Sequence, residues 1–438
     1  MSDSFVIDPQ WEPSRHGPEE IRQTTALLHI TVNGQPVTRV FNDWTQSVHE
    51  SVRVSTYPLA LWLASSWWRL LWEPMPAVGK PDSDWRMAHE VGGAGHGYLW
   101  PPLRMESDGN RVRIQCTPSP ANTSEPIQYL TKLHETIPIA IFSTTIAHFV
   151  QTVIARLDTV GIRDSALHAL WNEVTHEKAD PEAAAWRKRE AMLGFEPDAA
   201  PQQVAETLQD LTITAGESAV DEIAAACANT DAGPLLNRIR AVAGSDLAIP
   251  GSLLPVLSHI DHSPARDFPP DTAPWDLGHG MARMARERLG LNADPISNRR
   301  LGELLALTEQ DLAGSVAPMA EVPMGLAVRA DNDGQVRFLF RRKHPVGRRF
   351  EASRWLADAL LAPAKDRWLP ATDAKTARQK MQRAFASEFL APIGILQDLL
   401  GNDPTNEERI KDTARHFGVS SRMIHSHLAN HDLVPFQK

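Results

Sequence analysis

The stretch Arg348 to Leu361, RRFEASRWLADALL, reads as one helix, and its neighbours fix the fold class. Before it lie two strand-like pieces, GLAVRA (325–330) and QVRFLFRR (335–342), joined by Asp331-Asn332-Asp333-Gly334, a predicted hairpin turn. After it come a loop and a longer helix, AKTARQKMQRAFASEFLA (374–391), which Pro392 ends. Upstream, LGHGMARMARERLGL (277–291) and SNRRLGELLAL (297–307) predict two helices separated by a break at Pro295. Downstream, EERIKDTARHFGVSSRMIHSHLANHDLV (407–434) predicts two helices flanking Gly418-Val419-Ser420, a pair like a helix-turn-helix. Helices around a small antiparallel sheet make this region α+β and helix-rich.

The rest of the chain is read outward from there. At 438 residues it exceeds one ordinary core, and three regions are expected: a mixed α/β Trp-rich N-terminal module (1–160), a helical region (161–265), and the domain just described (266–438). In the first, ALLHITV (26–32) followed by Asn33-Gly34 is a hairpin signal, because both turn positions need positive φ. GYLWPPLRM (97–105), Ser107-Asp108-Gly109-Asn110 and RVRIQC (111–116) predict a second hairpin. Between them YPLALWLASSWWRLLW (57–72) reads as a buried, Trp-rich helix, too short to span a bilayer and carrying Arg69. Past Pro138 a long apolar stretch, IAIFSTTIAHFVQTVIARL, has helical spacing. Segments such as AAAWRKREAMLGF and PQQVAETLQDL predict the helical layer of 161–265, and the proline-rich run after His259 predicts a boundary.

Composition narrows the function classes. Lys plus Arg total 44 against 54 acidic residues, so the net charge of -10 gives no global attraction to nucleic acid or anionic lipid. Cys116 and Cys227 share no metal or disulfide spacing, and the N-terminus lacks a basic n-region and an apolar h-region. A cytoplasmic protein without a membrane partner is expected, and no cofactor is indicated.

The order of elements in the last region, with three sets of residues, resembles the ImmA/IrrE-type metallopeptidase family over roughly 275–438. Arg383-Ala384-Phe385-Ala386-Ser387-Glu388-Phe389-Leu390-Ala391-Pro392 is similar to the family's FAxxLLxP helix; Phe417-Gly418-Val419-Ser420 with Ile424 and Leu428 is similar to its terminal pattern; Arg349-Phe350 is similar to the Arg-Phe before HExxH. The resemblance implies a zincin-like domain. HExxH works because two histidines at i and i+4 share a helix face and bind zinc, while the glutamate serves the bound water as general base. In register with it stand Arg354-Trp355-Leu356-Ala357-Asp358, and the family's third ligand position falls on Met381. Arginine, aspartate and methionine do not assemble a tetrahedral hydrolytic zinc site, and an arginine repels a cation. The i, i+4 spacing of Arg354 and Asp358 suits either an ion pair in the metal's place or two separately solvated side chains. No catalytic residue and no metal ligand is expected at these positions.

Other histidine groupings are weaker. His89-Glu90 runs into the glycine-rich run 92–97 (GGAGHG), which forbids a stable helix and reads as a tight turn; His134-Glu135 runs into Pro138; His259, Asp261 and His262 sit in a proline-rich linker. His425, His427 and His431 contain one i, i+4 pair, His427 with His431, but lack an acidic helper at fixed spacing. No G-x-S-x-G elbow, Walker A loop or G-x-G-x-x-G is present.

Two features point to macromolecular contacts. One is the basic cluster of Arg341, Arg342, Lys343, Arg348 and Arg349, which reads equally as a solvated strand end; the other is the terminal helix pair, with Arg422 and His425 able to face a groove, which in the family is a structural appendage. The expectation is therefore a non-catalytic, bacterial ImmA/IrrE-like regulatory or accessory protein that binds a protein partner, nucleic acid or both. The resemblance implies a setting of stress response, mobile elements, toxin–antitoxin pairs or phage defence. The alternatives are a nucleic-acid-binding component built on the basic cluster and terminal helices, and a metal-dependent peptidase whose site lies elsewhere. The balance leans against an enzyme, and the sequence does not fix the oligomeric state.

Overall fold

The computed structural model describes all residues except 1–2, 121–123, 229, 261–267, 270, 315–321, 331–333, 402 and 436–438. Asp261, His262 and the turn residues Asp331, Asn332 and Asp333 thus lie outside the described residues. The chain is α+β and divides into two compact units, Met1–Ala200 and Pro201–Lys438, so the 161–265 stretch is shared between them.

In the first unit Phe5–Trp11, Thr25–Val32 and Gln35–Pro36 run antiparallel in that order, with Val52–Ser55 also on Thr25–Val32. The predicted Asn-Gly turn closes Thr25–Val32 onto Gln35–Pro36, pairing Val32 with Gln35, and Asn33 and Gly34 have φ of 48° and 76°. The second hairpin also forms, with Ser107 opposite Val112 and Asp108 Oδ1 accepting from the amides of Asn110 and Arg111.

The Trp-rich segment is two helices, Tyr57–Ser65 and Trp67–Trp72, rather than one; Ser66, in a non-helical conformation, divides them. Trp62, Trp67 and Trp68 are core residues, and Trp67 meets Trp171 edge-on. Arg69 is buried among Glu73, Asp84 and Glu196, and the first of these also takes His89 at 3.0 Å. The helix Ile139–Thr159 is, among the described residues, the one long and apolar enough to cross a membrane. It buries Phe142, Ile146, Phe149, Val150, Val153 and Leu157 in the core and exposes Thr144, His148, Gln151 and Asp158, the pattern of an amphipathic core helix.

The second unit holds a fully antiparallel sheet in the order Ile249–Ser252, Gln335–Leu339, Met324–Arg329, Trp368–Thr372. The two inner strands are those of the predicted hairpin. The helices Pro345–Leu361 and Ala377–Leu390 follow, and Phe338, Trp355, Phe385, Phe389 and Phe417 are buried in one core. The helix Pro274–Arg288 lies close along Ala377–Leu390 because Gly278 carries no side chain; a Cβ there would sit 2.4 Å from the Met381 carbonyl oxygen. The terminal pair, Glu407–Phe417 and Ser421–Asn430, turns at Gly418, which has φ +61°.

Candidate functional site

The helices Pro345–Leu361 and Ala377–Leu390 carry Arg354, Trp355, Asp358 and Met381. Arg354 is buried, and its guanidinium donates to Gln382 Oε1 (3.2 Å), to the Thr372 carbonyl (2.7 Å) and to Gln379 Oε1. Burial, with the Arg383 cation beside it, pulls its pKa down to about 9, and at neutral pH it remains a cation.

Asp358 is fully buried and accepts two bonds of 2.7 Å from Arg378, which also reaches Asp366 and Ser218 Oγ at 2.9 Å each. The Arg354–Asp358 ion pair is therefore absent. Arg378 lies on the facing helix and presents its planar fork to the carboxylate bidentately, a stronger geometry than an i, i+4 contact along one helix. Trp355 packs on Phe338 and Phe340, with centroids 5.2 and 4.9 Å away. Met381 is buried, with its carbonyl oxygen against Gly278.

The basic cluster does not reach the surface as a unit. Arg341 and Arg342 share Asp373 at 2.7 and 2.8 Å. Arg348 is buried and donates to the carbonyls of Arg342 and Asp311. Arg349 is buried too and donates to the carbonyls of Ile296 and Gly418 and to Asn298 Oδ1. Arg348 and Arg349 were candidates for phosphate contact or for a solvated strand end; instead they satisfy backbone carbonyls inside the unit, the task for which a five-donor guanidinium is suited. Lys343 and Arg422 are exposed, and His425 pairs with Glu407 at 3.2 Å.

Of the remaining histidine groupings, His89 is buried, with one ring nitrogen on the Met105 carbonyl and the other on Glu73. Glycines 92 and 93 lie in a short 3-10 turn, Val91–Ala94.

One grouping is joined by a residue that sequence reasoning missed. His427 and His431 meet His279 from the helix Pro274–Arg288, and one ring nitrogen of each lies within 4.8 Å of the others. His279 and His431 stack at 4.6 Å, and His427 stands 5.4 Å from His279. His279 Nε2, His427 Nδ1 and His431 Nε2 are buried without a hydrogen-bond partner. His427 Nε2 instead meets Glu388 Oε2 at 3.1 Å, and Glu388 also accepts from Arg283 Nε (2.8 Å) and the Ile393 amide (3.1 Å).

Burial alone would raise the Glu388 pKa, but the bonds from His427 and Arg283 hold it down at about 2. An ionised carboxylate only accepts, so His427 donates from Nε2 to Glu388. Burial, then the neighbouring histidines, push His279 down to about 4 and His431 also downward. The i, i+4 spacing of His427 and His431 was the one sequence signal; the acidic helper comes from another helix and the third ring from a distant part of the chain. Comparisons with protein-family models, with curated proteins and with solved structures find no match.

Proposed function

We propose that the chain is a non-catalytic, ImmA/IrrE-like regulatory or accessory protein that acts by binding a protein partner. The reading rests on the sequence resemblance, and one observation carries it. The family's ligand positions hold a buried guanidinium bonded to Gln379, Gln382 and Thr372, a carboxylate committed to Arg378, and the Met381 thioether. A cation placed there would face an arginine, and a water would find no general base at Trp355.

A protein partner is favoured over nucleic acid because the net charge is -10 and Arg341, Arg342, Arg348 and Arg349 are spent on carboxylates or carbonyls within the fold. The indole of Trp44 is 81% exposed, the kind of side chain that anchors protein contacts.

The alternative of a metal-dependent peptidase with a site elsewhere is favoured by a single observation, the cluster of His279, His427 and His431. One assay separates the two: the full chain, with zinc added, is incubated with casein and with a mixed peptide library, with and without chelator. No cleavage above background supports the non-catalytic reading, and chelator-sensitive cleavage overturns it. For the partner, crosslinked co-purification from the source cells should lose a specific protein when Trp44→Ala is introduced without a change in melting temperature. Retention of nucleic acid in a salt-dependent manner would move the assignment to the nucleic-acid component.

A further inference from the structure

We propose that His279, His427 and His431 form a three-nitrogen site for a zinc-class divalent ion, with Glu388 as the outer carboxylate that orients His427. One ring nitrogen of each histidine lies within 4.8 Å of the others, and each of the three rings has a buried nitrogen without a hydrogen-bond partner. Each such orphan costs on the order of 1–3 kcal/mol, so three in one place are a strong departure from ordinary packing. A shared proton does not remove the cost. An N–H···N bond needs about 3 Å between nitrogens, and no such bond forms among these rings. A metal ion satisfies all three at once.

The donor set selects the ion. Three imidazoles with no thiolate and no direct carboxylate suit zinc, cobalt, nickel or copper and discriminate against magnesium and calcium, which take oxygen ligands. Zn–N bonds of about 2.0–2.1 Å at tetrahedral angles place the nitrogens roughly 3.3 Å apart. The present spread reaches at most 4.8 Å, so the rings must draw in by an ångström or so. His431 is able to give most of this, because it is the half-buried cap residue at the end of its helix.

The outer shell is already in place. A ligating histidine ordinarily donates its other ring N–H to a carboxylate or carbonyl, which fixes the tautomer and makes the ligand nitrogen more basic. Glu388 does this for His427, and Arg283 and the Ile393 amide hold Glu388 in turn. Three protein ligands leave a fourth position for water or a partner's side chain. The bound ion would tie the helix Pro274–Arg288 to the terminal helix. The inference is independent of the function proposed above, since it concerns an ion and not a reaction.

The test uses the full, untagged chain, stripped with chelator and dialysed, then titrated with zinc by calorimetry and with cobalt by visible absorption. The expected result is one equivalent of zinc per chain and the strong cobalt bands of a tetrahedral site. Both should be lost, or weakened at least tenfold, in His279→Ala and in His431→Gln. Glu388→Gln should weaken binding by roughly 10–100-fold. His431→Gln sits at a half-buried helix end, so a native circular dichroism spectrum keeps the test informative if His279→Ala fails to fold. Lack of zinc uptake by the wild-type chain, or uptake unchanged in both histidine variants, overturns the proposal. Peptide cleavage by the zinc-bound chain would overturn the non-catalytic function and leave the metal site standing.

Discussion

Two polar clusters are built on one helix, Ala377–Leu390, and they differ in how their groups are satisfied. In its first half Arg378, Gln379 and Gln382 meet the charged groups of Arg354 and Asp358 with hydrogen bonds, while Asp366 Oδ1 and the Trp355 indole N–H nearby are buried without a partner. At its far end Glu388 secures one face of His427, while three ring nitrogens beyond it have no partner. The first cluster carries more formal charge, but the second is less complete. Burying a charge is tolerable when every lone pair and proton is met; leaving a buried nitrogen unmet is what marks a place for something else. The contrast therefore directs attention away from the positions where the family resemblance would place zinc and toward the end of the same helix.

The ion-paired cluster should be the costlier to disturb. Asp358→Ala strands Arg378 with only Asp366 and Ser218, and breaking a buried pair costs about 3–5 kcal/mol. Urea unfolding of the full chain should show this loss in the transition of the 201–438 unit, and Arg378→Met, which strands both Asp358 and Asp366, should cost at least as much. A loss below about 1 kcal/mol for Asp358→Ala would mean that the pair is not a fixed part of the core.

A pH experiment on the neighbouring Glu351 sharpens the same point. Its carboxylate is buried and accepts from the amides of Arg341 (3.0 Å) and Arg342 (3.3 Å). Burial pushes its pKa up to about 7, with those bonds and the Arg354 cation only partly opposing. A carboxyl whose folded pKa lies above its unfolded value near 4.5 binds its proton more tightly when folded. Its contribution is complete below about 4.5 and is lost as pH rises through about 7, a difference on the order of 3 kcal/mol. The stability of wild type minus that of Glu351→Gln, measured by urea from pH 4.5 to 8, should fall across this window. A flat difference would refute the assignment.

How much of this was visible in the sequence follows from the range of each interaction. The hairpins at Asn33-Gly34 and Gly109 and the helices around Arg354 and Phe385 were legible, because turn residues and helical spacing are local signals. The Arg354–Asp358 spacing misled, since a better-shaped donor, Arg378, arrives from the next helix. The split at Ser66 was missed because both halves share the same apolar composition. Arg348 and Arg349 read as a surface patch because a run of arginines carries no mark of the carbonyls that will surround them. His427 and His431 showed their spacing, but His279 joins them only through tertiary packing, where Gly278 lets two helices come close.

The histidine cluster should respond to metal as the ion-paired one does not. Zinc at 100 times its dissociation constant should stabilise the chain by about 2.7 kcal/mol. The melting temperature of the 201–438 transition should rise accordingly, in Asp358→Ala as well as in wild type, since Asp358 contributes no ligand. The same addition should leave His431→Gln unmoved. A rise of equal size in His431→Gln would place the ion elsewhere.

The smallest expected effect decides whether the histidine site is ready before the ion arrives. Ser420 caps the terminal helix by accepting from the Met423 amide, and replacing such a cap with alanine costs about 1 kcal/mol. If the terminal helix docked only when metal bound, this loss would be charged to binding, and zinc affinity would drop about fivefold. The helix is already anchored, with Ile424 and Leu428 fully buried and His427 on Glu388. Ser420→Ala should therefore lower the melting temperature of the metal-free chain by a few degrees and leave the zinc dissociation constant within twofold of wild type. A fivefold weaker constant with an unchanged melting temperature would show that the ion itself assembles the helix pair, and the two clusters would then differ in order as well as in satisfaction.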